Sequence, residues 1–178
     1  MTTSAMQTFS ALLGLMALGG AIALIVARIA AIRSAAAASV VEAVAPSALW
    51  LAFVVAATSM LGSLYFSEVA HFAPCKLCWY QRIAMYSLAV ILLIAAVKKD
   101  RGVIKYAVPL AVIGLVVSTY HYLLEWFPQL ETSVCSLDVP CTAVWFREFG
   151  FVSLSLMAGS AFLAIIVLLI GSSTWQRN

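Results

Sequence analysis

Residues 74–82 read Pro74-Cys75-Lys76-Leu77-Cys78-Trp79-Tyr80-Gln81-Arg82, and the chain then runs without another charge from Ile83 to Val97. A helix across a bilayer needs about 20 mostly apolar residues. The run from Trp79 to Val97 satisfies that requirement, so two thiols stand at the threshold of a membrane span. Four further runs qualify: Phe9 to Ile32, Pro46 to Phe66, Val103 to Leu124 and Phe151 to Gly171. In lipid each must satisfy its own backbone hydrogen bonds, which favours helix, and no alternating ten-residue segments suggest a β-barrel. The expected fold is all-α: an integral membrane protein with a four-helix transmembrane bundle and one additional N-terminal transmembrane helix.

Composition agrees. Of 178 residues 65% are hydrophobic and 10% charged, and mean hydropathy is +1.08. A chain this apolar cannot cover a water-facing surface, which excludes a soluble enzyme and a disordered segment. The net charge of +3 is small. Its Lys and Arg residues form no basic face, so no nucleic-acid partner is expected.

Those cations do set an orientation. Arg28, Arg33, Lys98, Lys99, Arg101, Lys105 and Arg177 fall on one side, and Lys76, Arg82 and Arg147 on the other. The first group is assigned to the cytoplasm, which turns residues 67–78 and 125–150 outward and puts the N-terminus outside. The first run lacks a basic segment before it and carries its Arg residues after it, the layout of a retained anchor rather than a cleaved signal. Residues 1–45 are therefore read as the extra helix with a cytoplasmic linker, 46–172 as the bundle and 173–178 as a cytoplasmic tail. Ala35 to Ala38 either prolongs the first helix or belongs to the linker. Pro46 suits a first helical turn, and Pro109 falls inside the fourth run, near its start. The four-residue spacing of Ser59 with Ser63 and of Ser155 with Gly159 is read as ordinary composition of such helices.

All four cysteines fall in the two outer loops or at their edges, although the spans occupy most of the chain. Cys75 and Cys78 form a Cys-x-x-Cys at a helix start, where the helix N-terminus favours a thiolate. Arg82 is four residues beyond Cys78, on the same helical face. Its permanent charge can hold an anion, which singles out Cys78 as the working thiolate, although Arg residues near span ends also snorkel to headgroups. Cys135 and Cys141 lie in the second outer loop with five residues between them. Two pairs suggest a relay by thiol–disulfide exchange, delivering electrons to an acceptor in lipid. Trp79 follows Cys78, so there is no haem-attachment motif, and there is no dinucleotide fingerprint. A quinone fits the location. His121, between Tyr120 and Tyr122, reads either as a packing residue or as a hydrogen-bond partner for a quinone carbonyl. His71 reads as solvated. Trp126, Trp145 and Phe146 read as interface anchors, and Ala143 to Phe149 as a segment lying flat on the outer surface.

The string Pro74 to Arg82 resembles the signature of the DsbB family of disulfide-generating membrane proteins. Tyr120-His121 and the Cys135/Cys141 pair resemble two further family features, and the likeness covers roughly residues 46–172. The resemblance implies a four-helix bundle in the bacterial inner membrane, with its redox loops on the extracytoplasmic side. It implies reoxidation of a soluble DsbA-like thioredoxin-fold oxidase and transfer of electrons to the membrane quinone pool, ubiquinone or menaquinone. Carried over, Cys135 takes the mixed disulfide with the partner. Cys141 exchanges with Cys75, Cys78 faces the quinone, and Arg82 and His121 bind it; no metal is implied. The short Cys135–Cys141 spacing resembles the shorter-loop branch, and the first span lies outside the family core. The rival readings are a vitamin K epoxide reductase-like protein, whose loop pair precedes its Cys-x-x-Cys, a non-catalytic membrane protein with structural disulfides or a four-thiol zinc site, and a haem-binding or transport protein.

Overall fold

The computed structural model describes residues 3–131, 135 and 139–174, with side chains to residue 171. Arg177 and the tail beyond residue 174 lie outside the described residues. Six α-helices follow one another: α1 (Thr3–Ala30), α2 (Ala35–Val44), α3 (Ala48–Leu64), α4 (Lys76–Lys98), α5 (Ile104–Trp126) and α6 (Leu154–Thr174). Among the described residues there is no strand, only an isolated bridge between Glu148 and Val152. Five helical stretches are long and apolar enough to cross a membrane, with Ala35–Val69 acting as one. The protein is therefore an all-α, multi-pass membrane protein.

The second span starts earlier than its apolar run. Ser34 caps α2, its side chain accepting from the Ala37 N–H at 3.4 Å, so Ala35 opens a helix of its own instead of prolonging α1. A 3-10 turn at Ala45–Ser47 carries Pro46 and joins α2 to α3. Pro46 sits where a missing N–H costs little. Pro109 lies in the second turn of α5. Between α4 and α5, Lys99 takes a left-handed conformation with φ 53°, and the Asp100 carboxylate accepts from the Gly102 N–H at 2.7 Å.

Helices α3, α4, α5 and α6 close a ring in which each packs on two neighbours. Its centre holds Leu88, Leu92, Phe162, Ile165 and Leu169, all fully buried, among Ala52, Ala56, Ala84 and Ala111. Apolar burial drives little association in lipid, so helices associate through close packing of small residues and interhelical hydrogen bonds. A Cβ on Gly114 would lie 2.3 Å from the Phe162 ring, so α5 and α6 approach this closely only because residue 114 is glycine. One turn on, Ser118 Oγ donates to the Ser155 carbonyl at 2.9 Å, with Gly159 beside it. Ser155 and Gly159 are thus an interhelical contact and not merely background composition.

Helix α1 lies outside this ring, against α6. Its seam is Ala11, Gly14 and Ala21, with Ala21 packed on Ala164 and Val167. At the far end the Arg28 guanidinium lies where a side chain on Gly171 would be. The outward faces of α1, α4 and α5 expose Met16, Ile29, Ile83, Val90, Ile113 and Val116, surfaces that suit acyl chains rather than water.

Candidate functional site

The four cysteines converge at one end of the bundle. Cys75, Leu77, Leu124 and Cys141 form a buried cluster, with Cys78, Tyr120, Cys135 and Val139 packed against it. Cys135 and Cys141 are joined by a disulfide. Cys75 and Cys78 are free thiols with their sulfurs 2.7 Å apart. Cys141 is fully buried, whereas Cys135 is half-buried and is the more accessible sulfur of the loop pair.

Helix α4 begins on a sulfur. Cys75 is its N-cap, and Cys75 Sγ accepts from the Cys78 N–H at 3.3 Å. The first turn of a helix leaves N–H groups unpaired, and a thiolate there meets both those donors and the positive end of the dipole. The Cys78 hydrogen bond lowers the Cys75 pKa, burial opposes it, and His121 lowers it further, leaving a value of about 4. Cys75, the N-cap itself, is therefore the sulfur of the pair that holds a thiolate most readily in this arrangement.

His121 connects the two pairs. Its Nε2 lies 3.1 Å from the Cys141 carbonyl oxygen and 3.7 Å from Cys75 Sγ. A carbonyl can only accept, so Nε2 carries the proton. Nδ1 then accepts from the Gln81 amide at 2.9 Å. Gln81 is buried on α4, so two helices and the second loop meet on one imidazole. One turn beyond, Glu125 Oε1 accepts from Ser155 Oγ at 2.5 Å, while its Oε2 is buried without a hydrogen-bond partner among the described residues. A cavity of about 20 Å³, lined by Cys75, Cys78, His121 and Glu125, lies between them; one water fills such a space.

On the other side of Cys78 a much larger cavity opens, of about 420 Å³. Cys78, Gln81, Arg82 and His121 line its polar part, and most of the remaining wall is apolar. Arg82 is tied back to α3: its Nε donates to Ser63 Oγ and a terminal nitrogen to the Ser63 carbonyl, both at 3.0 Å. Its guanidinium also lies 5.4 Å from the Trp79 ring centre. The side chain therefore faces the bundle, where an Arg held by hydrogen bonds keeps its charge beside the cavity. A single π turn at Tyr65–Val69 widens α3 just beyond Ser63. Above it the two loops interlock through rings: Phe72 stacks on Trp145 at 4.8 Å, and Phe66 meets Phe146 at 5.4 Å. Trp145 lines both cavities, and Phe72 also lies 6.2 Å from Phe146, so these two residues of the second loop pack on the first loop. His71 is exposed, with φ 57°.

The ligating atoms of Cys75, Cys78 and His121 all lie within 4.8 Å of one another. His121 Nε2 is engaged with the Cys141 carbonyl, and Cys135 and Cys141 are bonded to each other, so the four cysteines do not stand as four free thiols around one point. Three contributors were not singled out from the sequence. Gln81 is three residues past Cys78 and Glu125 four past His121, both helical same-face spacings. Ser63 carries no local signal for an Arg 19 residues on.

The family profile described as Disulfide bond formation protein DsbB matches residues 45–170. A probable disulfide formation protein C 2 of Bacillus anthracis is 46% identical over 129 residues, covering 72% of this chain and 92% of that protein. Disulfide bond formation protein C of Bacillus subtilis is 46% identical over 120 residues, 67% of this chain and 87% of its own. A probable disulfide formation protein of Coxiella burnetii is 41% identical, covering 68% and 84%. No solved structure gives a significant match. The chain belongs to the DsbB family and is a membrane thiol oxidoreductase of disulfide bond formation.

Proposed function

We propose that this protein is a thiol:quinone oxidoreductase that reoxidises a soluble DsbA-like thioredoxin-fold oxidase at its cysteine-bearing end. The observation that carries the reading is the position of Cys78. Its sulfur lies 2.7 Å from that of Cys75 on one side, and it lines the 420 Å³ cavity with Arg82 on the other. The excess of Lys and Arg at the opposite end of the bundle supports an extracytoplasmic place for the loops.

The exchange balances as follows. A thiolate of the partner attacks Cys135 Sγ, breaking the Cys135–Cys141 bond and releasing Cys141 as thiolate. Cys141 attacks Cys75 of an oxidised Cys75–Cys78 pair, forming the interloop disulfide and freeing Cys78. The second partner thiol displaces Cys135, and the partner leaves oxidised. Cys135 then attacks Cys141 and releases Cys75. The low pKa of Cys75 suits this last step, because a more acidic thiol leaves faster. The net result is two electrons and two protons moved from the partner dithiol to Cys75 and Cys78. The arrangement seen, with a loop disulfide beside two free thiols, corresponds to that stage.

The acceptor site suits a quinone: donors at one end for a ring carbonyl, apolar walls for the rest, and a sulfur at the ring end. A bound quinone supplies the two-electron, two-proton sink. Arg82 would orient it and hold the developing negative charge, and Gln81 would offer its second amide N–H. His121 would act by holding Gln81 in place, because both its ring nitrogens are engaged, and the Trp145–Phe72 stack would exclude water. Cys78→Ser tests the assignment: mixed disulfides with the partner persist, and quinone reduction by purified protein disappears. Undiminished quinone reduction in that variant would refute it.

A further inference from the structure

Helix α1 stands outside the family match, which begins at residue 45, yet it forms part of the acceptor cavity. Ser10, Leu13, Gly14, Met16 and Ala17 line it. Facing them across the cavity are Val54, Val55, Thr58 and Gly62 of α3. The two helices diverge here, because α1 packs on α6 and α3 on α4 and α6, with no substantial α1–α3 packing. Toward the other end the gap closes where Ala17, Ala21, Leu24 and Ile25 share a cluster with Val55. The cavity therefore has a polar inner end at Cys78 and Arg82 and an apolar outer part between two spans. Met16 is 71% exposed on the bundle's outside while lining that part, which places a mouth on the lipid-facing surface.

We propose that the α1–α3 cleft is a lateral passage for the isoprenoid tail of the quinone, and that Leu13, Met16 and Ala17 make α1, which lies outside the family match, a tail-specificity wall. The inference rests on the quinone reading of the Cys78 site. Its chemistry follows from continuity: a ligand with its ring at Arg82 and a long apolar tail extends into the mostly apolar part of the cavity between α1 and α3, where the Thr58 hydroxyl is turned back to the Val54 and Val55 carbonyls, and from there into lipid. Apolar transfer from lipid to protein gains little, so the shape of the wall, rather than hydrophobicity, decides affinity.

Two variants change the wall from either side. Gly62→Leu fills open space, since a Cβ there meets nothing within 4 Å. Ala17→Phe narrows the passage from α1. In the full-length protein in detergent, binding of ubiquinone-4 and of tail-less ubiquinone-0 is read by tryptophan fluorescence. Each quinone is compared between variant and wild type, so partition into the micelle cancels. The expected result is an affinity loss of about tenfold for ubiquinone-4 and less than twofold for ubiquinone-0. A ubiquinone-4 analogue with a diazirine on its first isoprenoid unit should label α1 and α3. Equal changes for the two quinones, or labels confined to α4 and α5, would overturn the passage while leaving the ring site standing, as would an acyl chain filling the cleft and leaving ubiquinone-4 affinity unchanged. Absence of binding by either quinone to the wild type would overturn both.

Discussion

His121 Nε2 lies 3.7 Å from Cys75 Sγ, and the same nitrogen donates to the backbone carbonyl of Cys141. One imidazole thus holds the second loop against the start of α4, and in the proposed relay it would set the distance over which the two pairs exchange. The Cys135–Cys141 loop is short, and this tether keeps Cys141 beside Cys75 instead of relying on the loop's reach.

The first consequence is a pH profile. With the Cys75 thiol at about 4, alkylation of Cys75 in the reduced protein should stay level from pH 8 to about pH 5 and fall through pH 4. Because the folded value is below the unfolded value of 9.0, the thiolate stabilises the reduced fold fully above about pH 9. That contribution declines as pH falls and is gone below about pH 4. His121→Ala should move the alkylation profile to higher pH. A profile already rising only near pH 8 to 9 in the wild type would contradict the geometry around Cys75.

Arg82→Ala separates the two ends of the relay. Arg82 is fixed by Ser63 at the cavity, remote in role from the loop disulfide. The apparent KM for quinone should rise about tenfold, near 1.4 kcal/mol, while that for the dithiol partner changes less than twofold. Ser63→Ala should give a smaller shift in the same direction. Equal effects on both substrates would mean that Arg82 serves only the fold.

Cys135 and Cys141 differ in access, and the difference is testable by trapping. Cys135 is half-buried and Cys141 fully buried. The partner is a thioredoxin-fold protein whose second cysteine is replaced and whose attacking thiol is activated as a thionitrobenzoate disulfide. With it, Cys141→Ser should displace thionitrobenzoate and accumulate a mixed disulfide through Cys135, and Cys135→Ser should not, as seen on non-reducing gels. A stable adduct in Cys135→Ser would reverse the order of attack.

Gly114→Ala places a methyl 2.3 Å from the Phe162 ring. Overpacking of this kind costs about 1–3 kcal/mol, so the thermal midpoint in detergent should fall by several degrees, and Phe162→Leu in the same chain should recover part of the loss. An unchanged midpoint would show that α5 and α6 have slack at this level.

The spans were legible because about 20 apolar residues in lipid have one helical solution, and the structure keeps all five. The second began at Ala35 rather than Pro46, since Ser34 offers a cap that hydropathy does not register. Cys75 and Cys78 were legible through their spacing. The Cys75–His121 contact was not, because it joins residues 46 apart through tertiary packing. Sequence spacing placed the thiolate on Cys78 beside Arg82, whereas the N-cap geometry favours Cys75 in the reduced pair. Trp145 and Phe146 carried the composition of interface anchors, yet they pack on Phe72, a pairing of two loops that no local pattern encodes. Glu125 was hidden for the same reason: its partner Ser155 lies on α6, 30 residues away.

The most direct measurement is stoichiometric: quinol formed per disulfide delivered to a reduced thioredoxin-fold protein, with purified full-length protein in detergent and oxygen excluded. Electron flow from Cys135 through Cys78 predicts one quinol for each disulfide, and none of either in sustained turnover with Cys78→Ser. Disulfide delivered without matching quinol would contradict it, as would sustained turnover in the Cys78 variant.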